Sequence, residues 1–275
     1  MTKISKSKPH AGHTHYDANY GNFQATLYEQ IRREAFGEDI GQNSWLTSSE
    51  LDRFQSWLNL SPDKRLLDVA CGAGGPALRL GSQTGCEVTG IDIHEQAIAT
   101  ASALAAQQRL ARIEFLRLSA EQKLPFPERS FDAITCIDAI NHFRDRSQVI
   151  AEWHRILRPG GRLLFTDPIV VTGPLTNAEI AVRSSAGFYL LVPQGYDQQV
   201  IAHCGLRLLA AEDITRNMAE IAARRRAARA SRAAALREVE GDEAYEAQQE
   251  YLRIAALLAE EGRLSRFMVV AEKAL

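Results

Sequence analysis

Short apolar runs alternate with longer amphipathic stretches over most of this chain, and that alternation predicts its elements. Residues 66–70, 86–91, 112–117 and 131–137 are short, apolar and rich in branched or aromatic side chains, the pattern of buried strands. Between them, apolar positions recur at three and four or run through alanine, which predicts helices over 75–84, 94–108 and 145–157. Arg158-Pro159-Gly160-Gly161 stops the last of these, and a strand over 162–167 follows. Such a rhythm predicts a parallel, doubly wound sheet with helices on both faces. Beyond Asp167 the rhythm breaks. Residues 168–193 mix apolar and polar positions around Pro168, Gly173, Pro174, Gly187 and Pro193. A helix over 195–204, a strand over 206–214, a long helical stretch over 217–262 and a last strand over 264–273 complete the C-terminal part.

Upstream of the first strand, Tyr20, Phe23, Leu27, Ile31 and Phe36 are spaced mostly by three or four and predict one amphipathic helix. A second is predicted over 48–59, with Thr47 or Ser48 as cap and Leu51, Phe54, Trp57 and Leu58 as its buried face. The layout then reads as a tail over 1–15, an N-terminal helical lid over 16–60 and a core over 61–216. A helical lid insertion over 217–262 and a closing strand over 263–275 follow. The fold class is α/β, with a mostly parallel seven-stranded sheet. Its two C-terminal strands pair antiparallel at one edge, with the insertion between them.

Composition narrows the setting. The 275 residues suffice for one large domain with an insertion, and a net charge of −2 favours neither nucleic acid nor an anionic membrane. No apolar run is long enough to span a bilayer, and the N-terminus has no signal-peptide core, so a cytoplasmic protein is expected. Cys71, Cys86, Cys136 and Cys204 are widely spaced and read as free thiols. His10, His13 and His15 read as part of a polar tail rather than a metal site, and no metal is expected. Arg224, Arg225, Arg226, Arg229 and Arg232 are followed by Glu238, Glu240, Asp242, Glu243, Glu246 and Glu250. That order predicts a helical region pairing its own charges rather than a nucleic-acid surface.

The candidate chemistry gathers around Asp68-Val-Ala70-Cys71-Gly72-Ala-Gly74-Gly75, where a strand runs into a glycine-rich turn and a helix start. Gly72 and Gly74 allow the backbone close to a ligand, the helix start points N–H groups at it, and Asp68 sits at the strand end. Asp92 ends the second strand, where a carboxylate is able to take both hydroxyls of a ribose or simply cap the next helix. A dinucleotide fingerprint would need glycine at position 77, which is Ala77, and this argues against a dehydrogenase.

Four segments together resemble the class I S-adenosylmethionine-dependent methyltransferases. They are the glycine turn, Gly90-Ile91-Asp92-Ile93, Leu124-Pro-Phe126-Pro-Glu-Arg-Ser-Phe131-Asp132 and Leu157-Arg-Pro159-Gly160-Gly161. The resemblance covers about residues 60–167. It implies S-adenosylmethionine as cofactor. Ala70, Gly72 and Gly74 would then contact its methionine part, with Gln42 and Trp45 at the same end and Ile137 offering backbone there. Asp92 would take the ribose, Ile93 the adenine face with Gln96 beside it, and Ser119, Ala120 and Glu121 the adenine edge. Two positions depart from the pattern. Ala70 replaces a glycine, which is tolerated if φ is negative there, and no acidic residue directly follows the third strand.

The acceptor is expected to be a small molecule, methylated on O, N or C, and the chain to be a monomer or homodimer. An RNA or protein methyltransferase, or a non-catalytic cofactor-binding partner, is the alternative. His142, after the fourth strand, is the candidate base, with packing beside the cofactor as its other role. Tyr16 and Tyr20 are expected to close over the site. Asp138 and Asp167 stand at strand ends, where either an acceptor amine or a structural cap would suit them.

Overall fold

A computed structural model describes residues 20–185 and 187–275. The core repeats strand and helix: β1 Arg65–Val69, α3 Gly75–Thr84, β2 Glu87–Asp92, α4 Glu95–Gln107, β3 Ile113–Arg117, β4 Phe131–Cys136, α5 Arg146–Ile156 and β5 Leu157–Val171. Ahead of it lie α1 Thr26–Phe36 and α2 Ser48–Leu58. After it come α6 Asn177–Arg183, β6 Val192–Pro193, α7 Tyr196–His203, β7 Leu206–Asp213, α8 Thr215–Ala230, α9 Ala233–Glu240, α10 Asp242–Glu260 and β8 Leu264–Lys273.

The strands hydrogen-bond in the order β3-β2-β1-β4-β5-β8-β7, with β6 adding a two-residue pairing to β5. β1 to β5 run parallel, and β8 runs antiparallel to both β5 and β7. Side-chain alternation explains the unbroken apolar runs. In β1, Leu66 joins a cluster with Phe54, Leu80, Val88 and Ala101, while Leu67 joins Ile134, Ile150, Trp153 and Phe165 on the other face. Both faces are covered, as the crossover helices require.

The expected elements are present, with four differences. The first helix, expected from Tyr20 on, begins only at Thr26, and Phe23 lies in a turn ahead of it. β5 is far longer than the predicted 162–167. Its end at Val170 and Val171 pairs with Ser265 and Leu264, and the register shifts between Asp167 and Val170, where Pro168 has no N–H to give. The stretch over 168–193 contains the short helix α6, opened by a reciprocal cap between Thr176 and Glu179. The helical stretch begins at Thr215 and breaks into three helices, the last preceded by Gly241 at φ 85°.

The N-terminal helices and the insertion pack on each other. Ala35 and Phe36 of α1 share a buried cluster with Trp45, Met218, Ile221, Leu252 and Ala255. Buried charge ties them to the sheet. Arg266 of β8 donates from Nε to Asp138 at 2.7 Å and from an Nη to Glu50 of α2 at 2.7 Å. Asn217 of α8 donates to the same Glu50 carboxylate and to the Trp45 carbonyl. Two arginines of α8 pair within the insertion as expected, Arg224 with Glu220 and Arg229 with Glu240, while Arg232, between α8 and α9, pairs with Glu34 of α1.

Candidate active site

β1, β2 and β4 end on one cleft of about 500 Å³. At the end of β1 the chain turns through Ala70 at φ 54°, Gly72 at φ 54° and Gly74 at φ 81°. Ala70 therefore does not have the negative φ expected of it; its left-handed backbone costs about 1–2 kcal/mol. Asp138, one residue past Ile137 beyond β4, has φ 54° as well. Both strained residues line the cleft, and such strain persists only where the surrounding structure enforces it.

Gly72 and Gly74 serve different needs. A Cβ on Gly72 would sit 2.8 Å from the Tyr20 hydroxyl, so Tyr20 lies directly over the turn. A Cβ on Gly74 would meet Phe115 at 2.7 Å and Ala101 at 2.8 Å. Gly74 thus permits helix–strand packing and does not line the cleft, contrary to the expected ligand contact.

The two strand-end carboxylates are buried and held by different donors. Asp92 accepts from the backbone N–H of Gly72 at 3.0 Å and of His94 at 2.9 Å, one on each oxygen. Burial raises its pKa, and these N–H groups oppose the rise. Asp68 accepts from the Thr135 hydroxyl at 2.7 Å. Burial pushes its pKa up to about 7, the Thr135 bond opposes this, and the Asp92 charge adds to it. Beside Asp92, Ile93 turns an apolar side chain outward, 42% exposed, onto the cleft.

Of the expected site residues, Tyr20, Asp68, Ala70, Gly72, Asp92, Ile93, Ser119, Ala120, Glu121, Ile137 and His142 line this cleft. Gln42, Trp45 and Gln96 do not. Gln42 is spent on its own turn, accepting from Ile40 N and donating to Glu38 O. Trp45 is buried against Tyr251, rings nearly parallel at 6.4 Å, and gives the site only its backbone N–H, bonded to Asp138 at 2.9 Å. Gln96 faces solvent on the first turn of α4. Tyr16 lies outside the described residues. The other two strand-end carboxylates are structural. Asp138 lines the cleft but its carboxylate is engaged by Arg266, Thr166 and the Trp45 N–H, and Asp167 pairs with Arg146 at 2.6 Å, fully buried and outside the cleft lining.

His142 closes a short turn over Ile140–His142. Its Nδ1 lies 3.0 Å from the Phe188 carbonyl, and its ring packs edge-on against Tyr189 at 4.6 Å. Burial lowers its pKa, which keeps the ring neutral at pH 7. Sequence reasoning missed His94, Phe143 and Arg144, and the wall formed by Ser184, Ser185 and Phe188. Position next to Asp92 and His142 was a signal for the first three. No motif marks 184–188. The insertion 217–262 contributes no lining residue among the described residues, so the expectation that it covers the pocket directly is not met.

The sequence comparisons cover the strands that carry this site. The family model described as "Methyltransferase domain" matches residues 67–165. The 27-O-demethylrifamycin SV methyltransferase of Amycolatopsis mediterranei is 30% identical over 203 residues, spanning 70% of this chain and 73% of its own. The chain belongs to the class I S-adenosylmethionine-dependent methyltransferases. A second methyltransferase, from Streptomyces halstedii, is 32% identical over 164 residues, 56% of this chain and 59% of its own. Among solved structures, a cyclopropane synthase from Mycobacterium tuberculosis superposes with a TM-score of 0.80 at 21% identity, over 98% of this chain and 100% of its own. That likeness extends the shared fold to the N-terminal helices and the C-terminal insertion.

S-adenosylmethionine is the cofactor of this methyltransferase family, and the residues present suit it. The Asp92 carboxylate keeps lone pairs beyond the two N–H bonds it accepts, as a diol ligand requires. Ile93 offers an uncovered apolar face suited to a flat ring, and the turn at Gly72 admits no side chain. Among the described residues no group of His, Cys, Asp and Glu is arranged to hold a metal, and no helix is long and apolar enough to cross a membrane.

Proposed function

We propose that this protein transfers a methyl group from S-adenosylmethionine to a small-molecule acceptor, on O, N or C. The observation that carries the reading is that one cleft of about 500 Å³ joins the glycine turn and Asp92 to a wall from outside the core, Ser184, Ser185 and Phe188. A walled space of that size suits a small acceptor beside the cofactor better than a duplex or a folded protein. Acidic partners set among the arginines of this region, Glu220 beside Arg216 and Arg224 and Glu240 on Arg229, support the same choice over a uniformly basic face. Four free thiols fit a reducing cytoplasm.

When bound, S-adenosylmethionine supplies a methyl group already activated on a sulfonium. The chain's work is then to position and enclose. Asp92 and Ile93 fix the nucleoside end, Asp68 and the turn at Ala70 to Gly72 fix the methionine end, and Tyr20 covers the turn. Holding acceptor and methyl in line and excluding water supplies much of the rate. His142 is the base this reading assigns where the acceptor must lose a proton. A carbonyl only accepts, so Nδ1 carries the hydrogen shared with Phe188, and the proton would be taken at Nε2.

The test is calorimetric titration with S-adenosylhomocysteine, followed by labelled methyl transfer to small molecules, total RNA and a protein mixture. Binding with transfer confined to small molecules is expected. Transfer to RNA or protein alone, or binding with no transfer to any pool, would replace this reading with its alternatives. For the base, His142→Ala should lower turnover by about 10²-fold or more with cofactor affinity unchanged; an equal loss of both assigns His142 to packing.

A further inference from the structure

Arg183 ends α6, one residue before the cleft-lining Ser184 and Ser185. Its side chain is among the most deeply buried in the protein, 1% exposed, and none of its three guanidinium nitrogens has a hydrogen-bond partner. Its neighbours are aromatic: the guanidinium lies 4.6 Å from the Tyr251 ring centre and 6.0 Å from that of Trp45. A guanidinium does not shed its proton, and it carries five donors and no acceptor. Buried without an anion, it is a standing cost. The other fully buried arginines show how this protein treats such a charge. Arg146 holds Asp167 and Asp197, and Arg266 holds Asp138 and Glu50. Arg183 alone among these three has aromatic walls and no oxyanion. A second buried orphan stands on another side of the cleft wall. Both side-chain atoms of Asn141, 1% exposed and adjacent to His142, are unpartnered, while its carbonyl takes the N–H of Leu190. Arg183 precedes, and the Leu190 held by Asn141 follows, the cleft-lining residues Ser184, Ser185, Gly187 and Phe188.

We infer that Arg183 is an oxyanion-binding residue: the acceptor carries a carboxylate or a phosphate, which the guanidinium takes in a fork. The inference deepens the methyltransferase reading and rests on it. Planar, two-pronged recognition is what separates arginine from lysine at such a place, and aromatic faces hold the fork in plane. Because the guanidinium is sealed, the anion enters only when the wall after α6 shifts, and Ser184 and Ser185 lie past the helix end, where a shift breaks little regular structure.

The experiment uses the full chain saturated with S-adenosylhomocysteine, and follows its thermal midpoint against sodium acetate and inorganic phosphate, with chloride at matched ionic strength as control. One oxyanion or both should raise the midpoint saturably beyond chloride. A response to acetate identifies a carboxylate acceptor, and one to phosphate a phosphorylated acceptor. Arg183→Met and Arg183→Gln should each weaken that response by about tenfold or more, Arg183→Lys less, with affinity for S-adenosylhomocysteine held within about twofold. In chloride alone Arg183→Met should unfold at a higher temperature than the parent, because it removes the unpaired buried charge. No oxyanion response in the parent, an undiminished response in both variants, or a lower midpoint for Arg183→Met in chloride would each overturn the inference. Failure of the parent to bind S-adenosylhomocysteine would instead overturn the methyltransferase reading.

Discussion

Two carboxylates at the ends of neighbouring strands, Asp68 and Asp92, do different work because their partners differ. Asp92 is held by two backbone N–H groups and stays an acceptor for a diol. Asp92→Ala should cost cofactor affinity about 1.5–3 kcal/mol, roughly ten- to a hundredfold, in calorimetry; unchanged affinity would remove it from the site. Asp68 has one hydroxyl donor and a pKa that burial pushes up to about 7, above the usual carboxylate range. The folded state then binds the proton more tightly than the unfolded state, so this group's contribution to stability is full below pH 4 and is lost as pH rises through about 7. Denaturation of the ligand-free protein from pH 4 to 8 should show that decline, and Asp68→Asn should flatten it. A parallel slope in the variant would assign the decline elsewhere. Ala70 shows the limit of residue-level reading. The alanine in place of a glycine was legible, but the negative φ on which its tolerance was argued is not what the turn adopts: φ is 54°, because the backbone angle is set by the turn it closes.

At the scale of elements, helix and strand identity followed from periodicity because each crossover unit buries one face and shows the other. The bounds of β2, β4 and α3 fall within a residue of expectation for that reason. Joints between elements were not legible. Asp138 stands where a ligand-binding residue was reasonable, yet it joins β4 to β8 and α2 through Arg266 and Glu50. The partners lie 128 and 216 residues away along the chain from Arg266, and no local pattern announces them. Arg266→Met should destabilise the protein by about 3–5 kcal/mol in chemical denaturation, since it leaves two buried carboxylates without their cation. Burial already raises the Glu50 pKa against the opposing pull of Arg266, so removing the cation raises it further. A loss below about 1 kcal/mol would mean that water replaces the pair.

In the whole molecule, the helical insertion shares a buried cluster with α1 and Trp45, α2 packs on the sheet, and the cleft wall comes from Ser184, Ser185, Gly187 and Phe188. That separation assigns their motions. Hydrogen exchange should show protection rising over 41–45 and 91–94 with S-adenosylhomocysteine, and over 184–190 when an acceptor is added. Residues 217–262 should change little in either step. Protection that rises in 217–262 and not in 184–190 would return the lid to the insertion.

The sequence by itself determined the strand–helix alternation, the glycine turn with Asp68, the carboxylate of Asp92 and the family they mark. These are local: a buried strand, a tight turn and a strand-end acid each need particular residues within a few positions. Tertiary structure alone decided which buried charges meet, that Trp45 packs on Tyr251 instead of facing the site, and that Ser184 and Phe188 complete the cleft. Those outcomes depend on which surfaces come together once the sheet is covered, and distant contact leaves no period or motif in the chain that makes it.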